Sequence, residues 1–207
     1  MIAILDYGVG NLFSLRSSFA AIGAEATVTA DPSVIRAADK LILPGVGAFE
    51  DAARKLRESG LDIVLKEEVA KGKPLMGICL GMQLLFEKSY EYGEHEGLGL
   101  LKGSILPFSA HIDAGYKIPH IGWNKLSLTK NAPLWKYVKE GDYVYFVHSF
   151  FAEIDEEHTA ATSEYGIPFT AAVAKGNIYG CQFHPEKSGS VGLGILRGFC
   201  EAEGVSC

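Results

Sequence analysis

The first half of the chain alternates short apolar runs with amphipathic stretches, and this alternation constrains the fold more than any other feature. The apolar runs are residues 2–5, 41–43 and 74–78, and stretches with helical spacing follow Asn11 and cover residues 61–69 and 80–87. Continuous apolar runs of this length are typical of strands buried on both faces. Strands that alternate with helices predict a parallel sheet with right-handed crossovers and helices on both faces.

The second half is richer in aromatic and β-branched residues. Residues 143–146, 170–174 and 178–183 are separated by glycine-containing turns, which predicts strands. Residues 191–201 predict a closing helix that its glycines weaken. The whole pattern predicts an α/β fold with a mostly parallel central sheet and an antiparallel extension. Since 207 residues contain no linker or repeat, we expect a single domain over residues 1–207.

Charge and cysteine content indicate which binding partners and which cellular compartment to expect. The formal net charge is −6 and there is no long basic run, so binding to nucleic acid is not expected. The first apolar run ends at an acid, and no run approaches the roughly 18 apolar residues of a membrane span, so we expect neither a leader nor a membrane segment. The four cysteines are Cys79, Cys181, Cys200 and Cys207. They form no closely spaced pair, so we expect thiols in a cytoplasmic protein without a metal site.

The strongest local motif is Gly77-Ile78-Cys79-Leu80-Gly81, which lies between a predicted buried strand and a predicted helix. This is the setting of a nucleophile elbow in which cysteine replaces serine. Flanking glycines let the strand and helix pass closely, and a helix N-terminus favours the thiolate of Cys79. The amide of Leu80 is then an expected donor to an oxyanion. A lone cysteine is more often a small buried apolar residue, but the two glycines favour catalysis.

A second motif is Phe183-His184-Pro185-Glu186. The proline biases His184 toward an extended conformation and ends the strand. In extended geometry Glu186 projects to the same side as His184, where a carboxylate can orient the ring. Taken alone, this motif is more often a turn with a solvated acid. Combined with the elbow, the order Cys79, His184, Glu186 predicts a catalytic triad.

Two glycine-containing turns follow predicted strands. Residues 44–47 follow the second apolar run and can aim backbone amides at an oxyanion, although a plain turn is the simpler interpretation. Residues 8–10 follow the first run, but Phe13 stands where a dinucleotide-binding fingerprint has its third glycine. Nucleotide binding at residues 8–10 is therefore not predicted.

Three motifs, in order along the chain, resemble the triad-type (class I) glutamine amidotransferases. They are residues 44–49 (PGVGAF), 77–86 (GICLGMQLLF) and 183–188 (FHPEKS), and the match covers essentially the whole chain. Many members of that class carry a second glycine at the position of Val46.

Further segments are similar to one branch of that class, the glutaminase subunits of imidazole glycerol phosphate synthase in histidine biosynthesis. They are residues 6–11 (DYGVGN) and 118–124 (IPHIGWN), together with Val46. The branch usually has glutamine at the position of Gly189, and this departure concerns only the loop after the triad.

The resemblance implies a flavodoxin-like class I fold and a glutaminase without a cofactor. Cys79 would attack the side-chain amide of L-glutamine, and His184 would protonate the leaving ammonia. The amides of Val46 and Leu80 would bind the oxyanion. The implied glutamine contacts are Gly47, Gln83, Glu91, Ser149 and Phe150. Without the resemblance, Gln83 and Glu91 are as readily surface residues.

The resemblance also implies a separate cyclase subunit, because a (β/α)8 barrel by itself needs about 250 residues. Within the resulting heterodimer, ammonia would pass through the barrel to a phosphoribosyl substrate, giving imidazole glycerol phosphate and an aminoimidazole carboxamide ribonucleotide. The implied interface residues are Lys187, Tyr145, Trp123 and Asn11. We further expect the turn at residues 45–47 to switch when the partner binds, because glycines let a peptide plane flip.

Three alternatives remain at the level of sequence. A glutaminase subunit of anthranilate or aminodeoxychorismate synthase is the nearest, and residues 44–47 and 118–124 argue against it. A partner-independent cysteine hydrolase of the same fold predicts robust activity from the isolated chain. A non-catalytic binding module of flavodoxin-like shape predicts that Cys79→Ala changes nothing.

Overall fold

The computed structural model describes residues 1–203, and its first half consists of short strands followed by helices. The strands are β1 (Ile2–Leu5), β2 (Ala26–Thr29), β3 (Lys40–Leu43) and β4 (Leu75–Ile78). The helices are α1 (Leu12–Ala21), α2 (Pro32–Ala37), α3 (Phe49–Glu58), α4 (Leu61–Ala70) and α5 (Leu80–Gln83).

The second half is mainly β-structure and closes with one helix. The strands are β5 (Phe86–Ser89), β6 (His95–Glu96), β7 (Leu101–Pro107), β8 (His120–Lys125), β9 (Ser127–Leu128), β10 (Tyr143–His148), β11 (Phe150–Glu153), β12 (Thr159–Tyr165), β13 (Ile167–Lys175) and β14 (Ile178–Cys181). The closing helix is α6 (Gly189–Glu201), and a short 3-10 turn, Pro185–Lys187, precedes it.

Five parallel strands form the centre of the main sheet, in the order β2-β1-β3-β4-β14. The sheet continues through β13, β11 and β7, which pair antiparallel, to β5 and β6. Strands β8 and β10 form a separate antiparallel pair. The predicted α/β fold with a parallel centre and an antiparallel extension is confirmed, and the carboxyl ends of β3, β4 and β14 meet at one edge.

Helices cover both faces of the parallel strands because successive strand residues face opposite sides. In β1, Ile2 and Ile4 belong to the core that α1 and α6 complete. Ala3 and Leu5 belong to the core that α2, α3 and α4 complete. A continuous apolar run is therefore needed in β1, since both of its faces are buried.

One predicted element is wrong. The helix expected over residues 80–87 ends at Gln83, and residues 86–89 instead form β5, which pairs in parallel with β7. Leu84, Leu85 and Phe86 are all buried, so a continuous apolar run hides the change from helix to strand. Pairing with β7 makes residues 86–89 a strand rather than the end of a helix.

Boundaries elsewhere differ by a few residues. The strand predicted over residues 178–183 ends at Cys181. Asn11 precedes α1, but its side chain makes no capping hydrogen bond, so the expected cap is wrong. Gly23 follows the helix with φ +75°, as expected of a residue that ends a helix.

The described cysteines Cys79, Cys181 and Cys200 are unpaired thiols, and Cys207 lies outside the described residues. Over residues 1–203, no helix has the length and apolar character that crossing a membrane requires.

Candidate active site

A cavity of about 260 Å³ opens where β3, β4 and β14 end, and the segment between β10 and β11 bounds its other side. Sheets of this kind place their binding sites at this edge. The cavity collects residues that the sequence analysis assigned to catalysis, to the oxyanion hole and to glutamine. Its lining is Val46, Gly47, Cys79, Leu80, Gln83, Glu91, Pro119, Val147, His148, Ser149, Phe150 and His184.

The turn around Cys79 has the backbone of a nucleophile elbow. Cys79 has φ 54° and ψ −113°, a conformation that a residue with a Cβ adopts only under strain. A Cβ at Gly81 would lie 1.9 Å from the carbonyl oxygen of Leu43, and one at Gly77 would lie 2.6 Å from the Gly81 oxygen. The expectation that both flanking positions exclude a side chain is confirmed.

His184 and Glu186 form a buried pair beside the sulfur. Nδ1 of His184 lies 2.9 Å from Oε1 of Glu186, and the two side chains are 3% and 1% exposed. His184 and Cys79 both line the cavity, and Cys79 contributes to the raised pKa of His184. The expected extended geometry after His184 is wrong, because Pro185–Lys187 is a 3-10 turn. The turn nevertheless brings the carboxylate back onto the ring, so the three predicted triad residues lie together.

The charge of His184 is set by its neighbours. Burial by itself lowers the pKa of His184, but hydrogen bonds and charges from Cys79 and Glu186 outweigh burial and raise the pKa from 6.5 to about 10. Helix α5 has four residues, so its dipole is weaker than that of the predicted eight-residue helix. The sulfur therefore has a charged imidazolium beside it and a shorter helix behind it than the sequence predicts.

The turn at residues 44–47 packs directly on the elbow. A Cβ at Gly45 would lie 2.6 Å from the backbone nitrogen of Gly81. The hydroxyl of Tyr7 donates a 2.6 Å hydrogen bond to the carbonyl oxygen of Pro44, and burial raises the pKa of Tyr7. The segment that follows β1 and the elbow thus both hold this turn in place.

Val46 and Leu80, the expected oxyanion donors, both line the cavity. The Val46 side chain is 44% exposed, while Leu80 is buried. Gly47 has φ +91°, and open space surrounds the position of its missing Cβ. The turn is therefore fixed at Gly45 and free of close contacts at Gly47.

Gln83 and Glu91 are cavity residues rather than solvated surface residues. Nε2 of buried Gln83 donates to the Phe150 carbonyl at 3.3 Å and to Oε1 of Gln182 at 2.9 Å. The Glu91 carboxylate accepts a 2.6 Å hydrogen bond from the backbone N–H of Phe49, at the start of α3. Burial raises the pKa of Glu91.

A buried polar chain that the sequence analysis did not predict lies on β8 and β10, at the side of the cavity opposite the elbow. His148 lines the cavity, donates from Nδ1 to the Phe150 carbonyl at 2.8 Å, and lies 3.0 Å from Nδ1 of His120. His120 in turn lies 2.9 Å from Oδ1 of Asn124. Burial lowers the pKa of His148 to about 3, so the ring is neutral at neutral pH. The polar residues within 118–124 were the available signal.

Gln182 is a second residue that the sequence analysis missed. It is fully buried, and its Nε2 lies 3.7 Å from Sγ of Cys79. Its position directly before the Phe183-His184 pair was the only sequence signal. Among residues 1–203, no group of acidic, histidine and cysteine side chains is arranged to hold a metal ion.

The residues assigned to a partner interface lie beside the cavity. Tyr145 and Trp123 face each other across β10 and β8, with ring centroids 5.9 Å apart, and Trp123 is 52% exposed. Nζ of Lys187 lies 6.0 Å from the Tyr145 ring centroid. Asn11 precedes α1, which packs against the turn that carries Lys187. The structure brings these residues to one region, and their role in an interface stays a prediction.

Comparison with known proteins agrees with this geometry. Residues 3–201 match the family described as glutamine amidotransferase class-I. The imidazole glycerol phosphate synthase subunit HisH of Wolinella succinogenes is 51% identical over 203 residues, which cover 97% of this chain and 99% of the relative. The HisH subunit of Caldanaerobacter subterraneus is 50% identical over 202 residues, which cover 97% and 98%.

Solved structures share the fold at lower identity. A crystal structure of a glutamine amidotransferase has a TM-score of 0.75 at 20% identity and covers 97% of both chains. The PurLQS structure from Thermotoga maritima has a TM-score of 0.75 at 21% identity and covers 96% of both chains. The chain belongs to the class I glutamine amidotransferases and, within them, to the HisH subunits of imidazole glycerol phosphate synthase.

Proposed function

We propose that the chain is the glutaminase subunit of imidazole glycerol phosphate synthase and hydrolyses L-glutamine to glutamate and ammonia. The observation that carries this proposal is that Cys79 and His184 line one cavity and that buried Glu186 lies 2.9 Å from the His184 ring, within a chain half identical to HisH subunits. A strained elbow, an imidazolium and an orienting carboxylate are the parts of a cysteine nucleophile.

Each proposed step uses a group at a stated position. The thiolate of Cys79 attacks the side-chain carbonyl carbon of glutamine, and the new oxyanion accepts hydrogen bonds from the amides of Val46 and Leu80. His184 gives its proton to the departing nitrogen, so the C–N bond breaks, ammonia leaves and a γ-glutamyl thioester remains. His184 then takes a proton from water, which attacks the thioester and releases glutamate and the thiolate.

Residues on several sides of the cavity supply the proposed contacts for the rest of glutamine. The Glu91 carboxylate suits the α-amino group, since it is half-buried and faces the cavity. Gln83 and the backbone of Ser149 and Phe150 supply neutral hydrogen-bonding groups. Gly47 leaves space for the substrate.

The relatives are named as subunits of a synthase, so we propose that this chain also works with a partner. A cyclase subunit with a (β/α)8 barrel, in a heterodimer, is the partner that we propose to consume the ammonia. Trp123, Tyr145 and Lys187 would contact it, with Asn11 nearby. We also propose that residues 1–207 act as one domain and that the protein works in the cytoplasm, where histidine is made.

Hydrolysis without a recipient would waste glutamine, and the turn at residues 44–47 is where we propose that the partner controls it. Val46 is half exposed and precedes a glycine with positive φ, so its peptide plane can reorient without moving the elbow. The partner and its ribonucleotide ligand would stabilise the orientation that aims the Val46 amide into the cavity.

The test is glutamate release by the chain alone, with a cyclase subunit, and with that subunit plus its ribonucleotide substrate. We expect slow release from the chain alone and a large increase in the complete mixture. Equal turnover in all three mixtures would favour a partner-independent hydrolase, and activation only by an anthranilate or aminodeoxychorismate synthase subunit would favour those pathways.

A companion variant separates the nucleophile from the partner. Cys79→Ser should lose glutamine-dependent synthesis by a factor of about 1,000 or more, while the complex still makes product from ammonium salt. Retention of glutamine-dependent synthesis would show that the nucleophile is assigned to the wrong residue.

A further inference from the structure

Gln182 is buried beside the nucleophile, and none of the steps above uses it. Its exposed fraction is 0%, and its backbone N–H donates to the Ala171 carbonyl at 2.9 Å. Its side-chain nitrogen lies 3.7 Å from Sγ of Cys79, which is within hydrogen-bond range for sulfur. A buried amide is costly unless its groups are paired, so its partners show what it does.

The orientation of this amide follows from its neighbours. The carbonyl oxygen of Phe150 accepts hydrogen bonds and cannot donate, so the NH2 group of Gln83 must face it. The same NH2 group also donates to Oε1 of Gln182 at 2.9 Å. The oxygen of Gln182 therefore faces Gln83, and its NH2 group must face the sulfur of Cys79.

The donor at the sulfur differs in kind from His184. His184 carries a proton that the reaction moves, whereas an amide keeps its protons at any pH of interest. A donated hydrogen bond is stronger when the acceptor is charged, so the amide of Gln182 favours the thiolate over the thiol. It also remains in place after His184 has given up its proton.

We propose that Gln182 is a catalytic residue that donates a hydrogen bond to the Cys79 thiolate, an inference that rests on the glutaminase function proposed above. Its contribution is largest where negative charge is on sulfur. In thioester hydrolysis the C–S bond breaks and its electron pair returns to sulfur, where the amide of Gln182 receives the charge. The contact with Gln83 holds the amide in that position.

The test is the pH dependence of Cys79 alkylation by iodoacetamide, measured on the full chain from about pH 5 to about pH 10. Gln182→Met keeps the length of the side chain and removes the donor. We expect the pH of half-maximal alkylation to rise by about one unit, and glutamine-dependent kcat with the partner to fall about tenfold. Synthesis from ammonium salt should be unchanged.

Gln182→Glu has the shape of glutamine and places a carboxylate at the sulfur. We expect a larger rise in the half-maximal pH than for Gln182→Met, because the donor is replaced by a negative charge. It also provides the readout if Gln182→Met fails to fold. Half-maximal pH values equal to that of the wild type in either folded variant would overturn the proposal.

Two controls distinguish the effect of the lost hydrogen-bond donor from an effect of altered packing and from alkylation of the other thiols. Gln83→Met breaks the contact with Gln182 and keeps the amide beside the sulfur, so it should raise KM and shift the half-maximal pH less than Gln182→Met does. An equal shift would overturn the proposal. Cys79→Ser gives the alkylation of the remaining thiols, which is subtracted. The titratable groups that face Cys79, namely His184, Tyr7 and Cys181, are present in every variant.

Alkylation does not depend on glutamine, so the two proposals fail separately. A shifted alkylation profile in a chain without glutamine turnover would contradict the glutaminase function and leave the Gln182 contact standing. Glutamine turnover with unshifted alkylation profiles would contradict the role of Gln182 and leave the glutaminase function standing.

Discussion

The two walls of the cavity are built by different forces. In the wall made by β3, β4 and α5, Gly45, Gly77 and Gly81 leave no room for a Cβ. In the wall made by β8 and β10, the buried histidines hydrogen bond inward while Ile121 and Trp123 are exposed outward. A wall defined by excluded space holds the nucleophile in one geometry. A wall held by polar contacts, with exposed apolar side chains, is suited to meet a partner.

Gly81→Ala gives the largest expected effect, because it tests the wall defined by space. The added methyl group would lie 1.9 Å from the Leu43 carbonyl oxygen, so β3 and α5 must separate. We expect the free energy of unfolding to fall by about 3 kcal/mol, with loss of glutamine turnover. Denaturant unfolding measures the change.

Gly115→Ala is the matched control, since a Cβ there meets nothing within 4 Å. Its free energy of unfolding should stay within about 0.5 kcal/mol of the wild type. Equal losses in the two variants would show that tight backbone approach does not define the first wall.

Glu186→Gln tests the buried pair that follows β14, where the backbone N–H of His184 donates to the Tyr145 carbonyl of β10. The variant keeps the shape of the side chain and removes a charge that raises the pKa of His184. We expect glutamine-dependent kcat to fall about 100-fold, while synthesis from ammonium salt is retained. Activity should decline as pH rises through about 10 in the wild type, where His184 loses its proton, and at lower pH in the variant. Coincident upper limbs of the two pH profiles would contradict this role.

His148→Gln tests the polar contacts of the second wall. Burial lowers the pKa of His148 to about 3, so the unfolded chain, with a pKa near 6.5, binds the proton more readily. The stabilisation from the neutral ring is therefore complete above about pH 6.5 and is lost as pH falls toward 3. We expect the wild type to lose up to roughly 1.4 kcal/mol per pH unit in this range from this residue, and the variant to lack that slope.

Acid-dependent unfolding of both proteins measures the slope. His111→Gln, at an exposed histidine, should keep the slope of the wild type. A wild-type slope in His148→Gln would show that other groups cause the acid dependence.

Trp123→Ala gives the smallest expected effect and tests the outer face of the second wall. Because the side chain is 52% exposed, the stability of the isolated chain should change by less than about 0.5 kcal/mol. Association with the proposed cyclase subunit should weaken roughly tenfold, which titration calorimetry measures.

Ile63→Ala is the control for the interface, since Ile63 is 61% exposed but lies on α4. It should leave association unchanged. Equal weakening by both substitutions would place the interface elsewhere.

Much of the site follows from the sequence, because its motifs are short and local. The elbow is specified within five consecutive residues, and the need for glycine at positions 77 and 81 follows from how closely a strand and helix must pass. His184 and Glu186 are two residues apart, so any compact turn can bring them into contact. The glutamine contacts came from family resemblance and not from spacing.

Predictions from local sequence are wrong where distant segments decide the structure. Residues 84–89 are equally compatible with helix and strand, and pairing with β7 selects the strand. The role of Gln182 depends on its hydrogen bond with Gln83, which is 99 residues away in the sequence. Gln83 is oriented in turn by the carbonyl of Phe150, 67 residues away from it. No local sequence pattern indicates which residues far apart in the chain will come into contact.

The sequence by itself determined the α/β class, the elbow and the identity of the predicted triad, because strand periodicity, glycine sterics and cysteine chemistry act over a few residues. Only the tertiary structure decided what surrounds the sulfur. It ended α5 at Gln83, brought the charged ring of His184 beside the sulfur, and placed the amide of Gln182 against Cys79. The physical reason is that burial and hydrogen bonding depend on which segments meet, and that is a property of the folded chain.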